Sequence, residues 1–74
     1  MEVEVKLFAI FREGRFTKKN INLSEGSLIS DVLNYLKIPE ENVGILLLNG
    51  QSVTVDRKLS ANDSITLFPS IAGG

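Results

Sequence analysis

No cysteine and no histidine occurs among the 74 residues of this chain. The first absence excludes disulfides and thiolate metal sites; the second removes the commonest general base and the commonest metal ligand. The core must hold the fold unaided, and there is room for only one, since a domain of this size buries only ~60% of its unfolded surface. Charge of one sign is lacking too. Eight basic residues against nine acidic ones leave a net charge of −1, without the broad electrostatic footprint that nucleic acid or anionic lipid requires. No apolar run approaches the ~20 residues of a membrane span. The start Met1-Glu2-Val3-Glu4 has neither the basic region nor the apolar stretch of a secretory signal. The expectation is a soluble, cytoplasmic protein with no nucleic-acid or membrane partner and no metal or cofactor bound by itself.

What is present is clear periodicity, with 43% hydrophobic residues. From Glu2 to Ala9 the pattern alternates, with Val3, Val5, Leu7 and Ala9 on one face and Glu2, Glu4, Lys6 and Phe8 on the other, as a half-buried strand requires. Arg12-Glu13-Gly14 then precedes a return strand from Thr17 to Leu23, with Ile21 and Leu23 on one face. Ser27 is placed to cap a helix from about Leu28 to Lys37, whose Leu28, Ile29, Val32, Leu33 and Leu36 form one apolar stripe and which Pro39 terminates. The segment Pro39 to Asn42 reads as a connecting turn. Ile45-Leu46-Leu47-Leu48 reads as a strand with apolar neighbours on both faces, Asn49-Gly50 as a hairpin turn with positive φ, and Val53 and Val55 as the strand pairing back. Leu59, isolated between charged residues and the turn Ala61-Asn62-Asp63, is expected to plug the core from a loop. A last strand runs from Ser64 to Phe68, and Pro69 ends regular pairing. The order strand, strand, helix, strand, strand, strand predicts an α+β roll, one helix on one face of a mixed sheet of four to five strands. The domain covers residues 1–69, followed by a flexible tail, 70–74. Strand order is beyond periodicity.

Two stretches at opposite ends carry a family resemblance: Leu7-Phe8-Ala9-Ile10-Phe11-Arg12-Glu13 and Leu67-Phe68-Pro69-Ser70-Ile71-Ala72-Gly73-Gly74. Both resemble the MoaD/ThiS family of ubiquitin-like sulfur carriers. The first is similar to the signature of the small subunit of molybdopterin synthase; the second, to the family's phenylalanine-proline and terminal diglycine. Leu48-Asn49-Gly50 and Asn62-Asp63 lie at matching distances from the end, so the resemblance covers essentially the whole chain. It implies the β-grasp fold, with first and last strands parallel and adjacent at the centre of the sheet. The helix-to-strand connection is shorter than is usual for the molybdopterin subunit, and Ser52 stands where that subunit often has an apolar residue. The carrier of thiazole synthesis therefore stays open as an alternative.

The resemblance also implies a chemistry. A ubiquitin-activating-like adenylyltransferase would use ATP to adenylate the carboxylate of Gly74, and a sulfur donor protein would convert it to a thiocarboxylate. The molybdopterin synthase large subunit, or thiazole synthase, would then consume the sulfur. Gly73 and Gly74 lack a Cβ, which lets the backbone enter a narrow channel beside nucleotide; Ile71 and Ala72 are expected to contact the partner. The chain itself would be carrier and substrate, not an enzyme. Alternation puts Phe8 and Phe68 outward, and with the implied parallel pairing they become neighbours, a docking face beside the tail with Leu47 and Pro69 joining them. Arg12 is a rim contact candidate. Arg15, Lys18 and Lys19 read as a solvated basic cluster, and Asp56 and Asp63 as turn residues bonding local backbone. Two further classes remain: a protein modifier joined through Gly74 to lysine, and a noncovalent ubiquitin-like module. Only the last would tolerate loss of Gly73-Gly74.

Overall fold

The computed structural model describes residues 1–70; Ile71, Ala72, Gly73 and Gly74 lie outside the described residues. Alternation in the first segment produces strand β1, Glu2–Leu7, whose Val3, Val5 and Leu7 are buried. It pairs antiparallel with β2, Lys18–Asn22, and parallel with β5, Ser64–Pro69. β3, Val43–Leu48, runs antiparallel to β5 and turns back into the short β4, Gln51–Ser52. The sheet order is β2-β1-β5-β3-β4, so the two ends of the chain form the parallel central pair of a β-grasp sheet. Helix α1, Ile29–Leu36, buries Ile29, Val32, Leu33 and Leu36 in one cluster with Val3, Val5, Leu7, Ile65 and Leu67 from the sheet. Leu59 is buried in that cluster from the loop, as its isolation implied.

Several boundaries differ from the periodic reading, each for a local reason. β1 stops at Leu7, and Ala9 is not a core residue: it is exposed, takes φ 53, and opens a 3-10 turn, Ala9–Arg12, that swings Phe11 into the core. Left-handed backbone costs a non-glycine residue ~1–2 kcal/mol. Phe11 burial and the Arg12 side-chain bond to Leu7 oppose that cost. Ser27 is not the helix cap. Its hydroxyl donates back to the Ser24 carbonyl, while the Asp31 carboxylate accepts the Leu28 N–H at 2.8 Å. Nor does Pro39 terminate α1. Lys37 adopts φ 60, and the N–H groups of Lys37 and Ile38 reach the carbonyls of Asn34 and Leu33, closing the helix two residues earlier. Residues Glu40–Asn42 form a further 3-10 turn. β4 ends at Ser52 rather than continuing through Val53 and Val55, because the chain leaves the sheet edge to reach α1, where the Ser30 N–H donates to the Val55 carbonyl. Arg15 is not merely solvated: its guanidinium bonds the carbonyls of Leu36 and Phe11, holding the end of α1 to the turn.

Candidate functional site

The site grows out of the central pair. Leu7 and Leu67 are register partners in parallel strands, so the next residues, Phe8 and Phe68, emerge side by side on the face away from α1. Their rings stack with centroids 4.4 Å apart and an interplanar angle of 14°. Such a pair contributes ~0.5–1.5 kcal/mol beyond area burial. Arg12 is held over it, its guanidinium carbon 4.9 Å from the Phe8 ring centroid and its Nε donating to the Leu7 carbonyl at 2.7 Å. Both contacts use the planar fork, which lysine cannot copy. The arginine is therefore a built part of the aromatic platform rather than a loose rim charge.

β3 completes the platform. Ile45 is the register partner of Phe68 and is 51% exposed. Leu47 shares that face but lies opposite Thr66 and is half-buried. The apolar residue beside the ring pair is thus Ile45, and the expected Leu47 sits one position further along the face. An unbroken run of four apolar residues has no alternation to assign faces, and an irregularity at Gly44 shifts the register between Val43 and Ile45. Neither is visible in periodicity. The one local signal is Gly44 itself, since a glycine bordering a strand run marks a bulge or a close backbone approach.

Beside the platform the chain heads for its tail. Pro69 does not end pairing: it partners Val43, and the Ser70 N–H donates to the Asn42 carbonyl at 2.8 Å. Next to this point lies a groove of ≈ 400 Å³ lined by Ile10, Phe11, Glu41, Asn42, Pro69 and Ser70. Ile10 at its rim is 61% exposed. Of the expected site residues, the structure brings Phe8, Arg12 and Phe68 together and puts Pro69 on the adjoining groove; Ile71, Ala72, Gly73 and Gly74 lie outside the described residues. The aspartates set aside as turn residues do bond locally: Asp63 accepts the Ser60 N–H, and Asp56 accepts the Thr54 hydroxyl. Among the described residues no group of three His, Cys, Asp or Glu side chains is arranged to hold a metal, and no helix is long and apolar enough to cross a membrane.

Comparison with known proteins agrees with this architecture. The model of the ThiS family matches residues 5–74. A putative molybdopterin converting factor subunit 1 from Pyrococcus furiosus is 28% identical, over 96% of this chain and 99% of its own, with a TM-score of 0.80. A chain from the complex of subunits 1 and 2 of the molybdopterin-converting factor of Helicobacter pylori is 22% identical over all of both chains, with a TM-score of 0.68. Small archaeal modifier protein 1 of Haloferax volcanii is 20% identical over 95% of this chain and 98% of its own, with a TM-score of 0.77. The latter two share the fold. No curated protein sequence matches.

Proposed function

The chain belongs to the ThiS family of small ubiquitin-like sulfur carriers, and on that premise we propose that the carboxylate of Gly74 is its working group, serving molybdopterin biosynthesis. The observation that carries this is a family match extending through Gly74, on a chain whose last described residues, Pro69 and Ser70, are held to β3 immediately after Phe68 of the stacked ring pair. The carboxylate attacks the α-phosphate of ATP in an adenylyltransferase, pyrophosphate leaves, and the acyl-adenylate makes the glycine carbonyl electrophilic. A persulfide on a donor protein attacks that carbon and AMP departs. A second thiol then reduces the S–S bond, releasing a thiocarboxylate, a soft nucleophile for the next enzyme. This chain contributes docking and a side-chain-free end; acid, base and nucleotide binding belong to partners. The likeness to a subunit 1 from Pyrococcus furiosus and to a chain found in a complex of subunits 1 and 2 supports a synthase large subunit as the consuming partner. Ser52, polar and opposite Leu47 on β3, favours retaining thiazole synthesis as a second reading.

Intact mass spectrometry after incubation with activating enzyme, ATP and a sulfur donor tests the proposal. Exchange of one oxygen for one sulfur, lost when Gly73-Gly74 is deleted, is the expected result. An unchanged mass with demonstrably active enzyme and donor would reject it, and supplying the synthase large subunit or thiazole synthase separates the two pathways.

A further inference from the structure

Gly44 is the one described glycine at which a Cβ would collide with neighbouring backbone. A Cβ there would lie 2.7 Å from the Pro69 carbonyl oxygen, 2.8 Å from the Ser70 Cα and 3.1 Å from the Pro69 carbonyl carbon. Carbon atoms rest ~3.5–4.0 Å apart, and all three obstacles are backbone, so no side-chain rotation relieves them. The glycines at 14, 26 and 50 differ: each has positive φ and open space where a Cβ would go. Gly44 is required by proximity alone. It sits where the β3–β5 register shifts, between Val43, partnered with Pro69, and Ile45, partnered with Phe68. The same short stretch holds Asn42, whose carbonyl accepts the Ser70 N–H. Proline has no N–H of its own to give, so the bond from Ser70 is the last backbone donation fastening β5 to β3 before residue 71.

We propose that Gly44 is a positioning residue for activation of the C-terminus: by letting Pro69 and Ser70 lie directly on β3, it fastens the root of the tail at a set distance and direction from the Phe8–Phe68 platform. This rests on the carrier reading above. A partner docked on the platform meets Pro69 and Ser70 at a fixed place on β3. Any Cβ at position 44 drives Pro69 and Ser70 off the strand, breaks the Ser70–Asn42 bond and leaves Pro69 and Ser70 to be ordered at each encounter with the activating enzyme. The platform stays intact, so the loss falls on the chemical step rather than on docking.

The full chain, wild type and Gly44→Ala, is assayed by ATP–pyrophosphate exchange with the activating enzyme, by direct binding without ATP, and by amide hydrogen exchange at Ser70. The expected outcome is unchanged binding, lost protection at Ser70, and a fall of about tenfold in kcat with little change in KM, the size expected for one more backbone residue to be ordered. Ser70→Pro, which removes the donor without crowding position 44, is expected to show the same split, and it decides the matter if Gly44→Ala does not fold. Wild-type kcat in the variant, or weakened binding that accounts for the whole loss, would overturn the inference while leaving the carrier reading standing. A wild-type chain that supports no exchange with active enzyme overturns both.

Discussion

The two ends of β5 are built in opposite ways. At its start, polar side chains close on backbone: the Asn49 amide oxygen accepts the Ser64 N–H at 2.9 Å, its nitrogen donates to Asp63, and the other Asp63 oxygen accepts the Ser60 N–H at 2.8 Å. Asn49 and Asn62 both sit at positive φ, where asparagine is tolerated better than most residues. At the other end the side chains that gather are apolar: Phe8 and Phe68 stack on each other and are half-buried, while Ile45 opposite Phe68 and Ile10 on the nearby groove are exposed. Hydrogen bonds that satisfy local backbone explain the first end as construction. Exposed apolar area beside a chain terminus contributes little to folding and much to association. The contrast separates residues that hold the turn from residues we propose face a partner.

The sharpest way to break that division is Phe68→Ala. It should weaken binding to the activating enzyme or the large subunit by at least about tenfold, a hot-spot loss above 1.4 kcal/mol, in a variant that loses about 0.5–1.5 kcal/mol of stability with the ring stack but remains folded; wild-type affinity in that folded variant would make the ring purely structural. Asn49→Ala should do the reverse. Losing two side-chain hydrogen bonds and the residue suited to φ 52 should cost about 1–2 kcal/mol of stability, read from urea unfolding, with partner affinity retained. Within the platform, Ile45→Ser and Leu47→Ser compared by calorimetry should rank Ile45 first, by about 1 kcal/mol of binding, because it lies opposite Phe68 and is exposed. Leu47 outranking it would shift the docking centre toward β4. The smallest effect belongs to Arg12→Lys, which keeps the charge but loses the fork over Phe8 and the bond to Leu7: about 0.5–1 kcal/mol of affinity, with the salt dependence of binding unaltered.

Much of this organisation is legible along the chain. Alternation in Val3-Val5-Leu7 and Ile65-Leu67 marks strands with one buried face, and Ile29, Val32, Leu33 and Leu36 mark the helix that covers it. Asn49-Gly50 marks the hairpin, with φ values of 52 and 85. Phe8 and Phe68 as outward neighbours followed from alternation once parallel pairing of the end strands was implied by family resemblance. The burial of Phe11 is not legible in the sequence, because it depends on a left-handed Ala9 that no period announces. The role of Asp31 in closing the first turn of α1 is hidden for a related reason: Ser27 has an equally good local partner in Ser24.

Local patterning is enough for the class of fold, the faces of most strands, the hairpin turn and the diglycine that carries the family resemblance, because these depend on neighbours within one turn of helix or two residues of strand. Tertiary structure alone decided that Ile45 rather than Leu47 meets Phe68, that Arg12 lies over Phe8, and that Gly44 must lack a side chain to let Pro69 and Ser70 pass. Those outcomes follow from register and close packing between segments far apart in the chain, where displacement by one residue exchanges the buried and exposed faces of a strand.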